Sequence, residues 1–265
     1  MSTLLRDRVS IDYREHLAIV TLSRADKYNG LDLPIMHALV EAAKQIRRHQ
    51  GIRAVIIRGD GPAFCAGLDF ASVTRKPLAV VGAFIPWGRR ANLFQRMCLI
   101  WRELPVPVIA VTHGYCFGGG MQLILGCDFR FSTPDCQFSV MEIQWGLIPD
   151  MSASVTLREL VAVDVAMELT MTGRKLSGQE ALNLNLVTGV SDDPMAMAEQ
   201  LADAIASRSP DAVRASKRLF RRTWLASERR ALAQERKLQL GLLTGSNQRE
   251  AMKANFEKRS PRFKS

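Results

Sequence analysis

Residues 114–150 read GYCFGGGMQLILGCDFRFSTPDCQFSVMEIQWGLIPD. The stretch predicts a turn, a helix and a strand over 114–132, then an apolar segment on which Glu142 stands alone as an acid. The helix begins within the triple glycine, Gly118 to Gly120. Glycine lets a backbone pass close to a ligand. The first N–H groups of a helix have no partner inside it, so they can face developing negative charge. An earlier turn, GDGPAFCAGLDF (59–70), likewise follows an apolar strand, RAVIIR. Two such turns, each offering one N–H, would make an oxyanion site; taken singly, each is also an ordinary tight strand–helix turn. The spacing is not the GxGxxG of a dinucleotide loop, and it falls over a hundred residues into the chain.

Outward from this stretch, VSIDY and LAIVTL alternate apolar and polar residues on either side of REH, which predicts an N-terminal hairpin. From Pro34, PIMHALVEAAKQIRRH places Ile35, Leu39, Ala42 and Ile46 at helical spacing, with proline near the start. IRAVIIRG and VPVIAVTHG are short buried strands. Strands separated by helices give an α/β class with crossover connections. SGQEA (177–181) pairs Ser177 with Glu180 in a capping-box pattern. From about residue 194 the pattern is helical to the end, with Pro210 starting one segment and LLTGSNQ separating two others. The expected division is an α/β body over 1–195 and a helical region over 196–265.

The 265 residues are 47% apolar and 23% charged, ordinary for a globular protein. No apolar run approaches the roughly 20 residues of a membrane span. The opening MSTLLRDRVSIDYREH is charged and alternating, unlike a signal peptide. Five cysteines without metal-ligand spacing or a CxxC pair read as reduced thiols of a cytoplasmic protein, or as small apolar core residues. Four histidines (16, 37, 49 and 113) show no ligand spacing, and there is no GxSxG and no P-loop lysine. The formal charge is +10. Residues 1–200 carry 20 basic and 20 acidic side chains, and residues 201–265 carry 16 and 6, so the whole excess lies in the last quarter. Such a block suits a phosphate-rich ligand, nucleic acid or a membrane surface, and equally a solvated helical face.

AFCAGLD, then GYCFGGGMQLILGCD about 50 residues later, then FSVMEIQWGLIPD, together resemble the crotonase (enoyl-CoA hydratase/isomerase) superfamily. LSRADKYNGLD (22–32) is similar to the family's N-terminal segment, TGRKLSGQEALNLNLVTGV to its following helix–turn region, and NFEKRSPRF to its C-terminal end. The resemblance covers nearly the whole chain. It implies a crotonase-like spiral of ββα units forming two sheets, with C-terminal helices that trimerise. It also implies an acyl-coenzyme A thioester as substrate rather than as cofactor, with no further cofactor and no metal. The expected assembly is a homotrimer or a hexamer made of two trimers, with neither nucleic acid nor membrane as partner. The oxyanion hole carries over to the backbone N–H groups of Leu68 and Gly119. Ala66 and Asp69 flank the first of these as substrate-binding candidates. Lys27 and Lys258 are candidates for the phosphates of coenzyme A, and each is also an ordinary surface lysine. KPLAVVGAFIPWGRRANLF (76–94) matches a variable region that covers the acyl chain, where Phe84, Ile85 and Trp87 either line the pocket or pack in a core.

Hydration of an enoyl thioester needs water deprotonated and the α-carbon protonated, which two carboxylates do. Hydratases of the family carry one where Gln122 stands and one where Glu142 stands. A glutamine cannot accept the proton at neutral pH. A double-bond shift needs less, since one base can take a proton from one carbon and return it to another. The single-glutamate isomerases resemble this arrangement. Asp150, where many members have glycine, matches the acyl-pocket aspartate of the dienoyl-CoA isomerases, which also carry an acid at the position of Gln122; Asp150 also reads as a helix N-cap. The expected catalytic set is Glu142 as base, Asp150 as second acid and Gln122 beside them. The alternatives are a slow or substrate-restricted hydratase, an RNA-binding member, and a binder of acyl-coenzyme A without catalysis.

Overall fold

Strand residues alternate between two cores, and that alternation places every later element. The computed structural model describes residues 2–75 and 77–264; Met1, Lys76 and Ser265 lie outside the described residues. Strands β1 (Ser2–Leu5), β2 (Val9–Arg14) and β3 (Leu17–Leu22) form an antiparallel meander, in which β2 and β3 are the expected hairpin. Helix α1 (Leu33–Arg48) crosses over to β4 (Ala54–Gly59), which pairs parallel to β3. Asp32 caps α1 through the Ile35 N–H at 2.8 Å. Helices α2 (Phe70–Thr74), α3 (Pro77–Phe84) and α4 (Leu93–Leu99) lead to β5 (Val108–Thr112), parallel to β4. Next come β6 (Tyr115–Phe117), α5 (Gly119–Leu125), β7 (Phe129–Ser132) and β8 (Gln137–Ser139). Helices α6 (Ala153–Thr156), α7 (Val163–Thr172) and α8 (Gly178–Asn183) precede the short β9 (Gly189–Val190). The large sheet runs β1-β2-β3-β4-β5-β7-β9, while β6 and β8 pair parallel as a separate small sheet.

Ala18, Val20, Val55, Ile57, Val108 and Ala110 point into the larger core shared with α1, α4 and α5. Their neighbours Leu17, Ile19, Ala54, Ile56, Ile109 and Val111 point the other way, onto Ala198 and Ala202. This period-two division is why the strands read as continuous apolar runs: both faces are covered. Helix α9 (Pro194–Ala206), first of the C-terminal helices, thus packs on the sheet itself. Helices α10 (Pro210–Thr223), α11 (Glu228–Leu243) and α12 (Ser246–Phe256) follow. Both halves of the capping box at α8 are made, Ser177 to the Glu180 N–H and Glu180 back to the Ser177 N–H. Among the described residues no helix is long and apolar enough to cross a membrane.

Helix α10 is fastened to the far end of α5. The Lys217 ammonium reaches Asp128 at 2.7 Å and donates to the carbonyls of Val106 at 2.7 Å and Trp101 at 3.3 Å. Arg221 holds the other Asp128 oxygen at 2.8 Å, and Glu159 bridges Arg221 to Arg102. Burial lowers the Lys217 ammonium's pKa, and Asp128 opposes that shift.

Candidate active site

The first glycine turn is stitched in place by the segment 24–32. Asn29 is fully buried and sits at φ +54, a conformation asparagine tolerates better than most residues. Its amide donates to the carbonyls of Asp60 and Ala63, both at 2.8 Å, and its side-chain oxygen accepts the Arg24 N–H at 2.8 Å. Cys65 pairs with Cys116, and Leu68 pairs parallel with Leu31. The Leu31 N–H donates to Gly67 and the Asp69 N–H donates to Leu31. In a parallel bridge of that kind the central residue, Leu68, turns its own N–H to the opposite side. Among the described residues the Leu68 N–H has no hydrogen-bond partner.

The second turn abuts the first. Gly67 (φ +95) and Gly118 (φ +50) face each other closely enough that a methyl group on Gly118 would lie 3.8 Å from the Gly67 Cα. Gly118 donates its N–H to Ser139, and Gly119 begins α5 with an N–H that has no partner among the described residues. The remaining glycines are there for closeness. A methyl on Gly119 would fall 2.7 Å from Leu31 Cδ1 and 2.8 Å from Met151 Sδ, and one on Gly120 would fall 2.6 Å from Cys65 Cβ. The two N–H groups expected from the sequence therefore stand on adjoining turns, both uncommitted.

Glu142 opens a 3-10 turn (Glu142–Trp145) that lies over Gly118, with its Oε1 3.3 Å from where a methyl on that glycine would be. Oε1 accepts the Gln122 amide at 2.6 Å. Oε2 is buried and has no hydrogen-bond partner among the described residues. Burial raises the Glu142 carboxyl above its ordinary value, Gln122 pulls it back, and the nearby Asp150 pushes it up. Gln122 is fully buried and uses both ends of its amide, because its oxygen accepts the Ala153 N–H at 3.2 Å. Asp150 is half-buried and raised by that burial. It is not an N-cap: Ser152 precedes α6 and makes no side-chain cap. Asp150 opens instead on a cleft of about 910 Å³.

The other expected residues are placed differently. Asp69 caps α2 through Ser72 and pairs with Arg24 at 2.8 Å, so its carboxylate is committed to holding the turn. Ala66 donates its N–H to Tyr28, and Lys27 is exposed beside it. Lys258 is exposed beyond α12 at φ +49, with nothing among the described residues tying it to the two turns. Phe84 leans on Phe94, centroids 4.6 Å apart, and Trp87 is largely exposed with its indole N–H on the Gly82 carbonyl. The cleft at Asp150 is lined from this part of the chain by Arg90, Ala91, Gln95 and Leu99, not by those rings. Residues that periodicity and motif did not single out include Asn29, Arg24 and Met151, together with the Phe70–Trp145 stack (4.1 Å) that joins the first turn to the Glu142 turn. An asparagine directly before a glycine is the one signal that pointed to Asn29.

Residues 12–265 match the sequence model of the enoyl-CoA hydratase/isomerase family. The chain belongs to that family. An enoyl-CoA hydratase of Mycobacterium tuberculosis is 30% identical over 255 residues, 96% of this chain and 95% of that one. The mitochondrial Delta(3,5)-Delta(2,4)-dienoyl-CoA isomerase of the mouse is 35% identical over 213 residues, 77% of this chain and 65% of that one. The crystal structure of a Bacillus anthracis enoyl-CoA hydratase superposes with a TM-score of 0.89 at 29% identity, covering 97% of this chain and 99% of that one. The large sheet, the small sheet and the glycine turns between them are thus the crotonase fold. As a family member the chain is an acyl-coenzyme A-processing enzyme, and relatives named for hydration and for isomerisation lie at similar distance from it.

Proposed function

We propose that this enzyme moves the double bond of an enoyl- or dienoyl-coenzyme A thioester, with Glu142 as the proton carrier. One observation carries the reading: Glu142 has one oxygen buried and unpartnered among the described residues, while the place of a second acid is held by Gln122, whose amide is spent on Glu142 and Ala153. The thioester oxygen sits between the N–H groups of Leu68 and Gly119. Glu142 takes a proton from the α-carbon, and the electron pair moves through the conjugated system onto the thioester oxygen. The resulting enolate collapses when the same proton, or one from the second acid Asp150, returns to the γ-carbon of a 3-enoyl chain or to the ε-carbon of a 3,5-dienoyl chain. No water is consumed and no redox partner is needed. Fixed donors aimed at developing charge typically contribute more to such catalysis than any other single effect, and loss of one costs about 10²–10³ in kcat. The similarity to the mouse dienoyl-CoA isomerase supports this reading.

Hydration is the second reading, favoured by the similarity to the M. tuberculosis hydratase. With Gln122 in place of the second hydratase acid it would be slow. The C-terminal helices carry exposed Phe220, Trp224, Leu225, Leu240 and Phe256, which supports a trimer or a pair of trimers. Their basic excess supports contact with the phosphates of coenzyme A, and the five buried free cysteines support a cytoplasmic setting. The test offers the purified protein trans-2-enoyl-, 3-enoyl- and 3,5-dienoyl-coenzyme A and follows bond position and water addition together. Bond migration in the latter two is expected. Rapid hydration of the 2-enoyl substrate without any migration would sink the proposal.

A further inference from the structure

We infer that helix α10 and the turn Leu157–Glu159 hold a second ligand site, for a small anion with two or more phosphate groups, separate from the thioester site. A cavity of about 600 Å³ lies beside α10, a size ordinary for a small-ligand pocket. Among the described residues, eight basic side chains line it and two acidic ones, Glu103 and Glu159. Neither acid is free to answer that charge. Glu103 takes Arg96 at 2.9 Å, with Arg47 and Arg90 both at 3.7 Å. Glu159 takes Arg102 at 2.6 Å and Arg221 at 3.4 Å.

Helix α10 sorts its charges into two rows. Lys217 and Arg221 are neutralised by Asp128. Arg214, Arg218 and Arg222 recur at every fourth position, so they form a second row on one side of the helix. Like charges at that spacing destabilise a helix. Arg158 adds a guanidinium from the turn Leu157–Glu159. Among the described residues Arg158, Arg218 and Arg222 pair with no carboxylate, and Arg214 reaches only Asp211, at 3.8 Å. Asp211 is shared, since it also accepts the Asn247 amide at 2.8 Å. Repulsion alone would spread four such groups apart in water, whereas all four line the one cavity. An anion bound among them removes that cost. Forks arriving from separate elements suit phosphate, whose tetrahedral oxygens accept from several directions, while a carboxylate is met in one plane. The site is not the thioester site. Gly119 opens α5, whose residues are all buried, and Asp128 holds Lys217 and Arg221 just past its other end. The cavity takes no residue from the two glycine turns or from the Glu142 turn.

Isothermal titration of the full chain, in its native assembly and at low salt, with inorganic pyrophosphate tests this. Saturable binding is expected, and Arg158→Gln and Arg218→Gln should each weaken it about tenfold. Both side chains are exposed, so neither change disturbs the core. Lys44→Gln, which removes the same charge from the exposed side of α1, should leave the affinity unchanged. Excess coenzyme A should leave it unchanged as well. Absence of saturable binding overturns the inference, and would mean that water or a neighbouring subunit already answers the arginines. Equal weakening by Lys44→Gln overturns it in favour of general charge attraction. Displacement of pyrophosphate by coenzyme A overturns it too, because the arginines would then serve the phosphates of the thioester substrate. None of these outcomes bears on whether the double bond moves.

Discussion

Glu142 works as a base only when ionised, and its burial opposes ionisation. Its carboxyl is raised above the ordinary value of about 4.3, so kcat should fall as pH drops through a point above that value. A pH–rate profile read from bond migration checks this, and Glu142→Gln should remove the acid limb along with about 10²–10⁴ of the rate. Gln122 acts in the opposite direction, since its amide favours the ionised form. Gln122→Ala should therefore move the acid limb further up. Gln122→Glu would set a second carboxyl against the oxygen that now accepts at 2.6 Å, and the pair would share one proton near neutrality. If the glutamine is what limits hydration, that variant should gain it in a coupled spectrophotometric assay. The position of Gln122 was legible from its distance to the triple glycine. Its bonds were not, because its partners lie 20 and 31 residues further on and no local pattern encodes them.

At the scale of elements, the site depends on turns that cannot accept a side chain. Gly118→Ala would force alanine to φ +50 and ψ −118 and press a methyl onto Glu142. It should cost about 1–3 kcal/mol in chemical unfolding. It should also lower kcat by about a hundredfold if the carboxylate moves on the order of 1 Å. Helix α5 is held at its other end by the Asp128 cluster. Asp128→Ala would leave the buried Lys217 ammonium without a carboxylate and should cost about 3–5 kcal/mol by urea denaturation. Lys217→Met should cost less, since Asp128 keeps Arg221. The longer strands and the major helices were legible because their apolar periods are local. Strands β1, β6 and β9, of four, three and two residues, were not: they are too short to show a period, and their pairing is decided by neighbours distant in sequence.

Across the whole molecule, the basic excess lies on the last quarter of the chain, which also exposes several large apolar side chains. Helix α11 has no buried residue, yet it exposes Leu232, Leu240 and Leu243. On the proposed assembly through these apolar side chains, sedimentation should give three or six times the 29.5 kDa chain mass at high as well as low salt. The charge excess was readable from counts alone. Its use was not, since a count of charges names no partner. The cleft at Asp150 shows the same limit: its wall joins Arg90 and Gln95 to Asp150 and Ser152, which only the fold brings together. That one carboxylate moves a proton through an enolate without adding water can be tested in a single reaction. A 3-enoyl-coenzyme A is turned over in water labelled with both deuterium and heavy oxygen, and the product is weighed by mass spectrometry. The expected product is a 2-enoyl thioester with no heavy oxygen, carrying deuterium on carbon only where the carried proton exchanged with solvent before its return. Product that carries heavy oxygen as a new hydroxyl from the first turnovers, with Glu142→Gln abolishing that incorporation, would contradict it.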